Sequence, residues 1–459
     1  MGKISEMLEK YKKLNRISFS MPGHKNGRGL ANDWGMADVT ELSDTDSLHY
    51  SEGAVKSACE KISEIYFSDR SYIMVNGSTG GIFTMLASVC KRGDKILVSR
   101  LCHMSVINAC VALGICPVFF NHRIYGEFSI CGEADIYDLK EKLTEDIKAV
   151  LVTSPNYFGV VSDIATIADI LKEKSIPLLV DEAHGAHFFV GGFFPENALL
   201  LGADMVVQST HKTLNGLNQS ALLHIKSDLV DCEKVEELLT FFQTSSPSYP
   251  IAASAENAVL EVAENNQKWE EIYRRCKELK ERIKNKTDIK IPRKDDGFFA
   301  LDETRLVFNF SSYDICGYEV SEILRKDWNI DIEMADSENI VLIATPANSE
   351  ADFDKIEKAL FAIETNIKKA DKTLKKNVIP EIKGLCVTPS VAFCSECEYI
   401  ELEKSENKIS VKTITVYPPG VPVLVPGMKI NKECIEYLEN CGGEITGMKD
   451  GKIKVIKEG

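Results

Sequence analysis

Short, uniformly apolar runs recur through the first half of the chain, at 71–75 (SYIMV), 95–99 (KILVS), 148–153 (KAVLVT), 176–181 (IPLLVD), 204–208 (DMVVQ) and 221–225 (ALLHI). Each is too short for a helix and too continuously apolar for a half-exposed strand, which predicts buried parallel strands. Helical patterns fill most of the gaps, over 54–67, 80–91, 104–113, 136–146 and 162–174. Strand–helix alternation of this kind predicts an α/β layered domain with a mostly parallel sheet.

The pattern changes afterwards. A charged helical stretch over 254–286 reads as one helix or a broken pair leading out of the large domain. Strands RLVFNF (305–310) and IVLIA (340–344), with helices near 317–326 and 351–368, predict a smaller α+β unit. A Lys-rich stretch, IKKADKTLKKN (367–377), reads as a solvated link. Beyond it the chain is rich in Pro and Gly, with strand-like runs KISVKTITVY and KIKVIK. The expected division is an N-terminal segment over 1–50, a large α/β domain over 51–255, a small α+β domain over 256–375 and a C-terminal domain over 376–459. At 459 residues the chain is too long for one ordinary core.

Composition narrows the class. The start, MGKISEMLEKYKKLNRISFS, lacks the apolar stretch of a signal peptide. No run of about 18 apolar residues predicts a membrane span, so a cytoplasmic protein is expected. The formal charge of −15 disfavours nucleic acid as a partner and favours approach of cationic small molecules. The 14 cysteines are scattered, and the single CxxC, Cys394 and Cys397, has no second pair at zinc spacing.

Chemistry in such a sheet gathers at the carboxyl ends of the strands. After 71–75 comes Asn76-Gly77-Ser78-Thr79-Gly80-Gly81 and then a helix. Glycines, hydroxyls and a helix N-terminus together suit a phosphate, although a plain strand–helix turn has the same look. After 176–181 come Asp181, Glu182, His184 and His187, where a buried carboxylate needs a partner. Asp181, His184 and His187 also allow a metal reading. After 204–208 come Ser209, Thr210, His211 and Lys212. Burial lowers a lysine's pKa and frees its amine as a nucleophile. A phosphate cradle, a carboxylate for a ring nitrogen and a nucleophilic lysine are together what pyridoxal phosphate requires. His103, after the strand at 95–99, is placed to lay a flat face against the ring.

These segments resemble one family. PGHK (22–25), LHYSEGAVKSA (48–58), VNGSTGG (75–81), CHMSVINA (102–109), SPNYFGV (154–160), VDEAHGAH (180–187), QSTHKTL (208–214), TSSPSYP (244–250) and YPPGVPVLVPG (417–427) are similar to the ornithine/lysine/arginine decarboxylases. The resemblance implies a fold-type-I pyridoxal-phosphate enzyme that releases carbon dioxide from a basic amino acid, arginine first, then lysine or ornithine. It implies Lys212 as the residue joined to the cofactor aldehyde, Asp181 as partner of the ring nitrogen and His103 as the ring-stacking residue. Gly77, Ser78, Thr79, Gly80, Ser209 and His211 would lie at or near the phosphate, with His184 packed near the cofactor. It implies His211 or Lys212 as the source of the returning proton. Ser245 or Ser246 would reach the site of a second subunit, in a homodimer or tetramer. The chain reads as the short form, without the N-terminal receiver-like domain of large inducible members.

Three departures bear on the substrate. Met428 follows Pro426-Gly427 where the family usually has a glutamate that could grip a distal cation. NGLNQS (215–220) replaces a more usual apolar, Met-containing stretch. Asp46 is followed by Ser47 where two adjacent acids are usual. Aminotransfer or other α-carbon chemistry, a diverged cofactor-binding paralogue and a nucleotide-binding protein stay open on these residues.

Overall fold

In the computed structural model, residues 1–14, 37–42, 44–370, 379–417 and 420–457 are described. The PGHK motif, Pro418-Pro419 and most of the Lys-rich link lie outside them. The six apolar runs all form strands, and a seventh strand joins them. In chain order these are β1 (Arg70–Met74), β2 (Lys95–Ser99), β3 (Cys116–Phe120), β4 (Ile147–Thr153), β5 (Leu178–Asp181), β6 (Met205–Gln208) and β7 (Ala221–Ile225). The seventh, β3, opens Cys116-Pro117, and Pro117 masks the strand pattern because proline is confined to strand starts and edges.

The chain divides into two compact units. The first comprises Met1–Val89, Ile164–Gly192 and Glu196–Asn266. Its strands lie in the order β1-β7-β6-β5. Strands β5 and β6 are parallel, whereas β7 is antiparallel to both of its neighbours. The expectation that all six runs are parallel therefore fails at 221–225. Between β6 and β7 the chain forms only a one-turn helix, Thr210–Thr213, in place of the longer helix that usually carries a parallel return. Val180, Val206, Val207, Leu222 and Leu223 are fully buried, each stabilising by about 1.5–3 kcal/mol.

Helices of this unit are fixed by borrowed carboxylates. Helix α1 (Lys3–Lys13) has no cap of its own, and the buried Glu256 accepts from the N–H groups of Lys3 (2.6 Å) and Ile4 (3.0 Å). The amide oxygen of Asn257 accepts from Gly2 N–H. Helix α2 (Ala54–Tyr66) starts on Asp46, whose carboxylate accepts from the N–H groups of Ser47, Glu52, Gly53 and Val55. Helix α3 (Gly77–Val89) begins at Gly77, earlier than expected, so Ser78 and Thr79 lie in its first turn. Gly81 lets it approach the sheet, since a Cβ there would stand 2.5 Å from Val207 Cγ2.

The second unit comprises Cys90–Asp163, Phe193–Pro195 and Gln267–Gly459. Its strands run β4-β2-β3, all parallel. Helix α4 (Met104–Leu113) follows β2, with His103 at its N-cap accepting from Ser105 N–H. The hairpin His122–Tyr125/Ile130–Ala134 was not foreseen from the sequence. The stretch read as one helix or a broken pair is two helices, α5 (Tyr249–Glu264, in the first unit) and α6 (Asn266–Lys286), parted at Asn265. Three antiparallel strands follow, β8 (Arg305–Asn309), β9 (Met334–Ala335) and β10 (Asn339–Ile343), ordered β8-β10-β9. Near the C-terminus, Ile414–Tyr417 pairs with Val421–Leu424 and Glu444–Thr446, and Cys397–Glu401 pairs with Lys452–Ile456. The buried Arg100, just past β2, donates to the carbonyls of Pro380 (3.0 and 2.8 Å) and Pro422 (2.6 Å). Among the described residues no helix is long and apolar enough to cross a membrane.

Glu256→Ala strands two backbone donors at the start of α1. The expected cost is about 1–3 kcal/mol of folding stability, read as a lower urea midpoint.

Candidate active site

Strand register places the chemistry of the first unit on one edge of its sheet. Met74 pairs with Ala221, Leu222 with Gln208, and Asp181 with Val207. The carboxyl ends of β1, β6 and β5 therefore lie side by side. They carry respectively the Gly77–Gly80 turn, Ser209 to Lys212, and Asp181. Alternation along β5 and β6 puts Asp181, Val207 and Ser209 on one face, the face on which α3 packs through Gly81.

Lys212 rides on the single turn Thr210–Thr213 and is half-buried. Its Nζ lies 3.2 Å from His184 Nε2. Asp181 is 3 % exposed, and its Oδ1 accepts from Ala183 N–H at 3.2 Å. His211 Nδ1 lies 2.8 Å from the carbonyl oxygen of Ser220. A carbonyl only accepts, so this nitrogen carries the proton. Burial, against the raising effect of the Ser220 carbonyl and with a smaller push from Lys212, lowers the His211 pKa and so favours the neutral ring. Ser209 Oγ is fully buried and has no hydrogen-bond partner among the described residues. A buried orphan hydroxyl costs free energy unless something meets it, and an anionic group at this edge would.

In the loop after β1, Gly77 takes φ +69° and its N–H donates to Gln219 O. Ser78 is half-buried and Thr79 exposed. A Cβ on Gly80 would stand 3.3 Å from both Met74 Cε and Phe242 O. His103 belongs to the second unit, half-buried, with Nδ1 2.8 Å from Ser105 Oγ. Ser245 and Ser246 are exposed, ahead of α5. Among the described residues no group of three His, Cys, Asp or Glu side chains is arranged to hold a metal ion.

Residues 4–296 match the family model for the Orn/Lys/Arg decarboxylase major domain, and residues 385–445 match that for its C-terminal domain. An arginine decarboxylase of Bacillus subtilis (strain 168) is 32% identical over 474 residues, spanning 98% of this chain and 97% of the relative. The chain belongs to the Orn/Lys/Arg decarboxylase family.

It is therefore an amino-acid decarboxylase by family. Its fold is that of lysine decarboxylases from Francisella novicida (TM-score 0.85, 21% identity, 100% of this chain and 81% of that one) and Escherichia coli (TM-score 0.81, 21% identity, 100% and 82%). This is the expected fold-type-I architecture, α/β with a mostly parallel sheet and smaller α+β parts towards the C-terminus.

Two of the places where the sequence departs from the family's usual pattern have local structural roles in this Orn/Lys/Arg decarboxylase. The Asp46 carboxylate is engaged by four backbone N–H groups at the start of α2. Met428 is 2 % exposed, inside the second unit's core.

Sequence reading passed over Glu182 and its partners. Glu182 is 2 % exposed; its Oε2 accepts from Gln208 Nε2 at 2.6 Å and its Oε1 from Ala198 N–H at 3.0 Å. Polar residues inside otherwise apolar runs, Gln208 in DMVVQ and His224 in ALLHI, were the available signal.

Burial raises the Glu182 pKa from 4.5 to about 8, against the lowering effect of the Gln208 and Ala198 hydrogen bonds. Between those values the unfolded chain has released a proton that the folded chain keeps, so stability falls as pH rises. Burial depresses the pKa of His224 to about 3 and that of His122 to about 4, which costs stability only as pH falls below about 6.5. The Glu182 contribution is thus isolated between about 6.5 and about 8. Urea unfolding of Glu182→Gln across that window should show a flatter decline with pH than the parent protein.

Proposed function

We propose that this enzyme decarboxylates a basic amino acid, arginine before lysine or ornithine, with pyridoxal phosphate bound along the β1/β6/β5 edge. One observation carries the cofactor reading: the half-buried Lys212 shares that edge with the buried Asp181 and the orphan hydroxyl of Ser209. The residues fit the group. Ser209 and the first turn of α3, Gly77 to Gly80, would hold the phosphate, the helix N-terminus adding its dipole. Lys212 would hold the aldehyde and Asp181 the ring nitrogen.

When bound, the cofactor supplies a sink for the electron pair left as the α-carboxylate departs. The chain's own residues do the rest. Asp181 would favour a proton on the ring nitrogen, because a buried carboxylate favours a cationic partner. Lys212, when its amine does not hold the aldehyde, would lie against His184 and could carry a proton. His211 is neutral with its proton on Nδ1, so its Nε2 is an acceptor. The proton returned to the α-carbon is therefore assigned to the Lys212 ammonium, which meets His184 Nε2 at 3.2 Å.

Arginine leads because an arginine decarboxylase is among the relatives that align along nearly the whole chain. The net charge of −15 supports a cationic substrate. We propose a cytoplasmic homodimer, in which the exposed Ser245 or Ser246 would reach the site of the second subunit. A second reading, a diverged cofactor-binding paralogue, is favoured by the burial of Met428 and the full engagement of Asp46.

Purified protein supplied with pyridoxal phosphate should be yellow and bleach with borohydride. Arginine should then give carbon dioxide and one equivalent of amine. Binding without carbon dioxide from arginine, lysine or ornithine would support the paralogue. Lys212→Ala should abolish both the borohydride-sensitive colour and turnover; retained turnover there overturns the assignment.

A further inference from the structure

We infer that Glu182 is a positioning residue, pinning the strand ends that present Asp181 and Lys212 through a buried side-chain staple to Gln208. The inference rests on the cofactor roles proposed above for those two residues.

Strand alternation turns Glu182 to the sheet face opposite Asp181. On that face the side chains of four strands join in one chain of hydrogen bonds. Gln208 at the end of β6 donates to Glu182, and its Oε1 lies 3.3 Å from Nε2 of His224 on β7. His224 Nδ1 lies 2.7 Å from Oγ of Ser71 on β1, which in turn is 2.7 Å from Ser68 Oγ. Glu182, Gln208, His224 and Ser71 are all buried. The Gln208 oxygen can only accept, which places the His224 proton on Nε2 and leaves Nδ1 to accept from Ser71. Every donor then points along the chain towards Glu182. The ring of Tyr66 lies 4.4 Å from that of His224, and its hydroxyl donates to Ala186 O at 2.6 Å.

Apolar side chains would fill this face at lower cost, because a buried polar network must be satisfied at every member. What the staple adds is register. Its anchor on β6 is the residue before Ser209, and its other anchor, Glu182, directly follows the end of β5 at Asp181. A slip of one residue would turn Asp181 to the wrong face. The Glu182 stem also seats the turn that follows. A Cβ on Gly185 would stand 2.6 Å from Glu182 Cγ, and Gly185 N–H donates to Glu182 O at 2.9 Å. His184, the contact of Lys212, lies within that turn. One side chain thus holds Asp181 before it and His184 after it.

The double variant Glu182→Leu/Gln208→Leu tests this, because replacing both partners leaves neither of them stranded. Apoenzyme would be titrated with pyridoxal phosphate, its melting temperature recorded, and the bound cofactor's absorption maximum and the steady-state constants measured. The expected result is near-parental apoenzyme melting with cofactor affinity and kcat each lowered about 10- to 100-fold, the range that follows from a misplacement near 1 Å. KM for the amino acid should change little, and the absorption maximum should move as Asp181 loses its place at the ring nitrogen. Cofactor affinity, absorption and kcat all within about twofold of the parent would overturn the inference. If the double variant does not fold, Gln208→Asn shortens the staple by one methylene, and unchanged affinity there overturns it equally. A parent protein that binds no cofactor would instead defeat the reading on which the inference rests.

Discussion

The pairing of Asp181 opposite Val207 is the constraint from which the site follows. Side chains alternate along a strand, so this one register decides which of Asp181 and Glu182 faces helix α3. It also sets the distance along the edge to Ser209 and Lys212, which continue the neighbouring strand. Val207 itself is the residue on which Gly81 brings α3 down. A single parallel contact between two short strands thus aligns the carboxylate, the lysine turn and the helix start.

Much of this was legible in the sequence, and for a physical reason. Buried strands need continuous apolar residues, and polar residues at their carboxyl ends stand out against them. That contrast exposes Asp181, Ser209, His211 and Lys212. It fails where polarity is hidden inside the run. Gln208 and His224 were absorbed into apolar patterns, and Glu182 was overshadowed by its neighbour. The reversal of β7 was also invisible in composition, because a central strand reads the same in either direction. Only the shortness of its connection to β6 tells, and NGLNQS drew notice for its chemistry instead. Strand β3 was lost to Pro117, and the paired domain boundaries rest on composition shifts that carry no contact information.

Asp46 teaches a complementary point. A carboxylate in a conspicuous acidic stretch invites a binding role, yet four backbone N–H groups leave it no spare capacity. Helices α1 and α2 both start on carboxylates, one distant in sequence and one near, because neither has a capping side chain at its own N-cap. Acidic residues in this chain therefore do much local structural work before any is left for a cationic substrate.

Arg100 has a consequence for how the second unit could be divided. Its guanidinium is buried and spends its donors on the carbonyls of Pro380 and Pro422, which lie nearly three hundred residues or more away in sequence. Cutting the chain anywhere before Pro380 would remove all three of these acceptors and leave an always-charged group in an apolar interior. The stretch from Pro380 onward is for that reason tied to the strand edge that carries Arg100. Trimming it away calls for redesigning the residue three places before His103.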